Sequence, residues 1–522
     1  MPTRLTAIGR RLFPFDTWRG RLVRDIVRDL GPMVPSPHLI NNYMYFVEPY
    51  QWHDRVESGT DGPLFSVVVP AFNTPDAYLQ PLVDSLINQL YGGFEVIFAD
   101  ASTDPGRAAA IAQAAALDDR FTYLRLPRNE GISANTNAAL AVARAPYVVF
   151  ADHDDVLSLH ALNEVAHSLA DDPSIDIFYS DEDALSEDGL KRSRPAFKPV
   201  WSPHMFLTCN YTNHLSVIRR SLIEQAGGLR PQFDGAQDYD LLLRLHTAPQ
   251  PPKVCHIPAI LYHWRQAAES TSSTVGAKTY AIDAGRNALA EYLARVGVDS
   301  AGVDDLPIQP SWHRIRPRWN ARVAVVCTGV AAAYMQDLVD ATQVDRCRPL
   351  WLAQPDGFDP DALPGDVDAV VVLYRHYLPI EPDWLDDLVG ALTLPGVALV
   401  APMLGGTLSA DRLVDSVGFT RDALGVTPLL RGDATASGNS AGLAQMLRDV
   451  DAVSRAVVAV RYRDLDLLQP PPPPFDTMVA VPPERGYTVI WGHQCLLRQE
   501  TFDVGGFLNP NLGLGVMRWF QE

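Results

Sequence analysis

The chain has 522 residues, room for two to four domains, and its 47% hydrophobic against 20% charged residues mark a globular protein rather than a disordered one. A net charge of −19 argues against a nucleic-acid coat or a generally membrane-bound surface. The five cysteines (Cys209, Cys255, Cys327, Cys347, Cys495) are scattered, which gives no disulfide framework and no Cys-x-x-Cys zinc site and fits a reducing compartment.

Residues 1–62 read as a leader. In it Arg4, Arg10, Arg11, Arg19, Arg21, Arg24 and Arg28 interleave with Leu5, Leu12, Phe13, Phe15, Trp18, Leu22 and Ile26. Such a basic, aromatic, amphipathic stretch can lie on anionic lipid, or can pack on the rest of the protein with its Arg face in water. It lacks a signal peptide's unbroken apolar run, and nowhere do about eighteen apolar residues follow one another, so a cytoplasmic protein is expected, at most peripheral at the inner membrane.

From Phe65 strands and helices alternate. Phe65–Pro70 reads as a buried strand, Asp76–Leu90 as a helix, Phe94–Ala99 as a strand ending at Asp100, 106–117 as a helix, Phe121–Leu126 as a strand, Ser133–Ala143 as a helix and Tyr147–Ala151 as a fourth strand. This predicts an α/β fold with a mostly parallel sheet covered on both faces, whose ligands bind beyond the carboxyl ends of the strands.

At the end of the fourth strand stand Asp152, His153, Asp154 and Asp155. Three carboxylates in four positions repel one another, and a hard divalent cation, Mg²⁺ or Mn²⁺, would explain their company. An acidic turn capping the next helix is the other reading. Asp100 can accept hydrogen bonds from a nucleobase or ribose, or close an Asx turn. Asn129 and Gly131 lead into a helix whose N-terminus favours phosphate, or form an ordinary capped loop. Tyr179-Ser-Asp-Glu-Asp183 is a second acidic cluster. Asp238 and Asp240 open a helix, where acids suit the dipole, but either could be a general base aimed into a cleft. His263 could complete a metal shell and Arg265 could hold a diphosphate.

Residues 301–320, rich in Pro, Asp and Arg, read as a linker, and a second α/β segment covers 321–522. The halves look related: Val148–Leu157 can be laid over Val371–Ile380, and Leu215–Arg220 with Ala226-Gly-Gly over Cys495–Gln499 with Val504-Gly-Gly, a weak match whose parts keep one order. Asp152, Asp154 and Asp155 then fall opposite Arg375, Tyr377 and Leu378, and Asp238 and Asp240 opposite Val516 and Arg518. The second copy stops at Glu522, where a full one would continue its helix. Pro470–Pro474 should be an extended spacer or loop.

Ser66-Val-Val-Val-Pro70, Asp100-Ala-Ser-Thr-Asp104, the Asp-His-Asp-Asp cluster, Tyr179-Ser-Asp-Glu-Asp183, Phe197–Pro203, Gln237-Asp-Tyr-Asp-Leu241 and Tyr262-His-Trp-Arg265 occur in one order. In that order residues 65–265 resemble the family 2 glycosyltransferases of GT-A fold, of the bacterial surface-polysaccharide type. The resemblance implies a catalytic domain over 63–300 and a degenerate GT-A-like domain over 321–522. It implies transfer of a sugar, with inversion, from a nucleoside-diphosphate sugar to a glycan or lipid-linked glycan, with Mg²⁺ or Mn²⁺. Asp238 would be the catalytic base, Asp152, Asp154 and His263 the metal set, and Pro70, Asp100, Asn129, Gly131, Asp152, His263 and Arg265 the donor site. Ala101 departs from the family's usual Gly. The rivals are a non-catalytic glycan- or nucleotide-binding scaffold, and a nucleotidyltransferase; the latter would more naturally show a Gly-rich basic loop after the first strand, which Ala71-Phe-Asn-Thr74 is not.

Overall fold

The protein is described by a computed structural model over residues 52–59, 62–266, 275–306, 309–328 and 332–374, and over shorter stretches from 377 to 498. The Arg-rich part of the leader, Ser270–Thr274, Arg375, Pro470–Pro474, Val504, Val516 and Arg518 lie outside the described residues. The chain divides into two compact units. Among the described residues, one holds those up to Trp201 together with Asn210–Tyr292, and the other holds Ser202–Cys209 and those from Leu293.

In the first unit β1 (Phe65–Ala71) pairs in parallel with β2 (Phe94–Asp100) on one side and β4 (Tyr147–Phe150) on the other, and β3 (Phe121–Arg125) extends the sheet beyond β2. These strands are apolar almost throughout because both faces of a parallel sheet are covered. Helix α1 (Asp76–Ile87) buries Leu79, Leu82, Val83 and Leu86, the spacing of one helical stripe. Helix α2 (Pro105–Ala115) begins with Pro105 behind Asp104, whose carboxylate accepts from the Gly106 and Arg107 N–H groups. Helix α3 (Ile132–Val142) returns the chain to β4, and β5 (Val156–Leu157) and α4 (Ala161–Asp171) follow. Next come β6 (Ile177–Leu185), β7 (Arg192–Ala196), β8 (Ser216–Arg219), α5 (Arg220–Gln225), α6 (Gln237–His246), β9 (Val254–Arg265) and α7 (Val275–Arg295).

The sheet order is β3-β2-β1-β4-β8-β6-β9-β5, with β7 beside β6. Four strands thus form a parallel half, and the reversed β8 opens a mixed half. This is the α/β arrangement of a GT-A fold. The apolar core lies between the sheet and its helices, around Val67, Val69, Leu82, Phe98, Val149, Leu162 and Leu261.

The stretch read as a linker differs from that expectation. Residues 300–317 form a hairpin, β10 (Ser300–Leu306) against β11 (Gln309–Pro317). Its charges misled because they sit on the wet side of a two-stranded ribbon, as Asp304 and Arg316 do when they pair.

The second unit contains β12 (Arg322–Thr328), α8 (Ala332–Asp340), β13 (Arg348–Gln354), β14 (Ala369–Leu373), β15 (Tyr377–Pro379), α9 (Trp384–Ala391), β16 (Val397–Leu408) and β17 (Asp411–Ser416). The hairpin β18 (Phe419–Asp422) and β19 (Gly425–Pro428), then β20 (Leu447–Val450), β21 (Val453–Ser454), β22 (Val457–Arg461), β23 (Met478–Val479) and β24 (Tyr487–Arg498) complete it. Its main sheet runs β13-β12-β14-β22-β16-β24-β15, with β17 beside β16 and β20 beside β24. Matched to β2-β1-β4-β8-β6-β9-β5 with β7 beside β6, each neighbouring pair has the same sense. The pairs β12–β14 and β16–β24 are parallel, while β14–β22, β16–β22, β15–β24 and β16–β17 are antiparallel.

That order corrects two details of the laid-over sequences. The strand in the place of β8 is β22, so Leu215–Arg220 corresponds to the neighbourhood of Val457–Arg461 and not to Cys495–Gln499. The second acid-free connection is also shorter: only residues 374–376 separate β14 from β15, where 151–155 separate β4 from β5. Tyr377 and Leu378 therefore belong to a strand, and the acids are deleted as much as replaced. No helix among the described residues is long and apolar enough to cross a membrane.

Candidate active site

The acid loop 151–155 is strapped to β9. The Asp152 N–H donates to the Tyr262 hydroxyl at 3.0 Å, and that hydroxyl donates to the Asp155 carboxylate at 2.7 Å. The Arg265 N–H donates to the other Asp155 oxygen at 2.7 Å, and Arg265 Nε to the Asp154 carbonyl at 2.6 Å. The guanidinium also donates to the Glu187 carbonyl and lies 4.9 Å from the Tyr78 ring centre. Tyr262 and Arg265 are three residues apart on β9 and reach the same loop because β5 pairs with β9 at Val156–His263 and Leu157–Tyr262.

Strapping fixes the acids in a place where charge is costly. Burial, then the charges of Asp154 and Asp238, push Asp152 up to about 7. Burial, then Asp152 and Asp154, raise Asp155 well above the carboxylate range. Burial holds the neighbouring His153 and His214 below the usual histidine range. His214 stacks on Tyr262, ring centres 4.8 Å apart and planes at 21°. Single ligand atoms of Asp152, Asp155 and His214 lie within 4.8 Å of one another.

This group differs from the expected metal set. His263 is not in it, because its Nδ1 is 2.7 Å from Asp183 Oδ1, and Asp183 also takes Arg192 Nε at 2.6 Å. His214, which the sequence did not single out, supplies the imidazole instead. Its Nδ1 is buried 3.6 Å from Glu182 Oε2, beyond hydrogen-bond reach, and both atoms lack a hydrogen-bond partner. Buried carboxylates short of countercharge beside an imidazole nitrogen without a hydrogen bond fit a hard divalent cation. Asp155 spends both oxygens on Tyr262 and Arg265, so Asp152 is the freer ligand of the two.

Helix α6 brings a further acid. Asp238 accepts from Asn210 Nδ2 at 3.0 Å, and its charge acts on both Asp152 and His214. Asp240, one half-turn on, faces the other way: it is 1% exposed and gripped by Arg230 and by Arg244 Nε and Nη2 at 3.0 and 2.9 Å. Of the two acids only Asp238 bears electrostatically on the loop. Lys198 is buried, with Nζ on the carbonyls of Asn213 and His214 and 3.5 Å from Glu182; burial lowers its pKa.

The remaining expected donor residues sort differently. Pro70 is near the end of β1, in register with Ala99. Asp100 lies at the end of β2, fully buried; its oxygens accept from Ser102 N–H at 2.8 Å, Tyr123 hydroxyl at 2.8 Å and Arg125 Nη1 at 3.0 Å. Both its Asx turn and a partner cation are therefore in place. Asn129 Oδ1 accepts from the Gly131 N–H and Asn135 Nδ2, bracing the turn where Gly131 adopts φ 95°. The α3 N-terminus is not open to phosphate: the Asp234 carboxylate accepts from Ser133 N–H at 3.2 Å. Arg265 is committed to the acid loop, and only its Nη2 has no hydrogen-bond partner. Asp181, in the second acidic cluster, pairs inward with His256 at 2.8 Å, leaving Glu182 as the member facing His214.

The residues missed from sequence, Asn210, Lys198 and His214, lie on the connection before β8. The signal for Asn210 and His214 was a polar run, Asn210-Tyr-Thr-Asn-His214, where a buried strand begins; Lys198 stood in the motif Phe197–Pro203, which was given no role.

Residues 66–227 match the model for glycosyl transferase family 2. An uncharacterized protein, y4gI, of Sinorhizobium fredii is 32% identical over 66% of this chain and 42% of its own length. The O-antigen biosynthesis protein RfbC of Myxococcus xanthus is 37% identical over 49% of this chain and 20% of its own. The chain thus spans less than half the length of either relative. A crystal structure of S. aureus TarS overlays with a TM-score of 0.34 at 20% identity, covering 44% of this chain and 71% of that one. The acid loop thus lies within the stretch that matches glycosyl transferase family 2.

Proposed function

We propose that the first unit transfers a sugar, with inversion, from a nucleoside-diphosphate sugar to a hydroxyl of a glycan or lipid-linked glycan, in the building of a cell-surface polysaccharide. The observation that carries this reading is that Asp238, from α6, bears electrostatically on Asp152 of the acid loop. A leaving diphosphate and an attacking hydroxyl need opposite assistance, and the two groups of acids can divide that work.

Asp152 and His214, with Asp154 or Asp155 beside them, would hold a divalent cation, Mg²⁺ or Mn²⁺. Such a cation supplies countercharge to a departing diphosphate. Asp238 takes the proton of the acceptor hydroxyl as its oxygen bonds to the anomeric carbon, on the face opposite the breaking bond to the diphosphate oxygen. Asn210 holds one Asp238 oxygen at 3.0 Å and leaves the other to receive the proton. Arg265 and Tyr262 keep the loop in place.

The second unit repeats the strand order but has no acid between β14 and β15, so we assign the chemistry to the first unit alone. The test is a panel of UDP-, GDP- and dTDP-sugars with Mn²⁺ and surface-polysaccharide oligosaccharides. Release of nucleoside diphosphate together with an extended oligosaccharide supports transfer. Pyrophosphate formed from a nucleoside triphosphate, or binding without turnover across the panel, would overturn it.

A further inference from the structure

The chain approaches α6 through residues 226–236, a stretch of the first unit that is tied to α6 on one side and to α3 on the other. The ties to α6 are guanidinium bonds. Arg244 Nη1 donates to the Ala226 carbonyl at 2.5 Å and its Nη2 to the Gly228 carbonyl at 2.7 Å, while Arg230 Nε donates to Asp240 Oδ2 at 3.1 Å. The ties to α3 use two side chains. Asn137 pairs with the Leu229 main chain in both senses, accepting its N–H at 2.9 Å and donating to its carbonyl at 2.8 Å. One turn earlier on α3, the Ser133 N–H donates to Asp234 Oδ1 at 3.2 Å.

A glycine makes room for each of these two ties. A side chain at Gly228, where φ is 75°, would place its first carbon 2.7 Å from Asn137 Oδ1, and one at Gly131, where φ is 95°, would run into the Asp234 carboxylate. Both positions need glycine for the backbone as well as for the space. Gly131 thus does more than close the turn before α3. It lets a carboxylate from the approach to α6 reach the N-terminus of α3, where unpaired N–H groups favour an acid. Four residues after Asp234 stands Asp238. Between them Gly235, at φ 89°, packs so closely on α7 that a side chain there would meet the Tyr280 ring at 2.5 Å and Ala281 Cα at 3.0 Å. The link from Asp234 to Asp238 therefore has little room to shift.

We propose that Asp234 is a positioning residue for Asp238: by capping α3 it holds the start of α6 against the helix that leads into β4 and the acid loop. Asp238 is thereby placed by α3 and not by α6 alone. The proposal rests on Asp238 being the base. It assigns Asp234 a part in turnover and none in holding the cation.

The test is a double-mutant cycle on the full chain with Asp234→Ala and Asp238→Asn. Turnover is read as nucleoside diphosphate released from the panel sugar found active. Calorimetry reads the binding of Mn²⁺ alone, and of that sugar's nucleoside diphosphate. Misplacing a reacting group by a distant substitution lowers kcat roughly 10- to 100-fold. Asp234→Ala should do so with both affinities unchanged, and Asp234→Asn, which can still accept from the Ser133 N–H, should recover most of the loss. In the Asp238→Asn background Asp234→Ala should lower kcat no further, because the group it places is gone. An Asp234→Ala chain with unchanged kcat would overturn the proposal. So would an equal loss in both backgrounds, or a loss shared by Mn²⁺ and nucleotide binding. If Asp234→Ala does not fold, Asn137→Ala takes its place in the cycle under the same criteria. An Asp238→Asn chain with full turnover would instead overturn the assignment of the base; one slowed as a lost base requires, with the Asp234→Ala loss undiminished beside it, overturns the latch alone.

Discussion

Arg265 donates its main-chain N–H to the Asp155 carboxylate at 2.7 Å, across the 109 residues that separate β5's leading loop from the end of β9. The bond makes the last acid of the cluster a strap and the preceding acids its cargo. The Arg265 side chain adds to it, with Nε on the Asp154 carbonyl and the guanidinium on the Glu187 carbonyl.

Arg265→Ala removes the Nε bond to the Asp154 carbonyl, the guanidinium bond to Glu187 and the stacking on Tyr78, and leaves a cavity. Loss of a buried, charge-assisted set of this kind should cost about 3 kcal/mol of unfolding free energy. Urea denaturation measures it. An unchanged midpoint would mean that the loop holds itself.

Asp240→Asn and Asp238→Asn should separate by their effects on stability. Asp240 neutralises Arg230 and Arg244, the latter 9% exposed, so its loss leaves buried positive charge and should cost on the order of 3–5 kcal/mol. Asp238 has one hydrogen bond, from Asn210, and its loss relieves repulsion on Asp152, so thermal unfolding should shift little. Equal destabilisation by the two would contradict the division drawn between them.

The parallel half of the fold was legible because its signals are local. The run Phe65–Ala71, the stripe Leu79–Leu82–Val83–Leu86 and the Asp104–Pro105 start each declare their element within a few residues. The acid loop was legible for the same reason. What escaped depends on pairing at long range. His214 reaches the loop because β8 inserts between β4 and β6, and His263 turns to Asp183 because β6 runs parallel to β9. Neither fact is written near those residues. The hairpin at 300–317 escaped because exposed strands carry charges that also mark linkers.

Asp152 gives a pH dependence with a definite sign. Its carboxyl rises from 3.8 to about 7 in the metal-free fold. The folded state therefore keeps a proton that the unfolded chain releases first. The stabilisation this brings is complete below the ordinary carboxylate range and is lost as pH rises through about 7. A cation displaces that proton, so Mn²⁺ should raise the melting temperature more at about pH 8 than at about pH 5.5. An Mn²⁺ effect that does not grow over this range would mean that Asp152 is not a ligand.

Turnover of the Asp238→Asn chain, measured beside its binding of the donor nucleotide, bears most directly on the assignment of the site. A fall of roughly 10²- to 10⁴-fold in transfer, with nucleotide binding kept, is expected of a lost general base. Transfer at the unsubstituted rate would contradict the role given to Asp238, and with it the division of labour between the acid loop and α6.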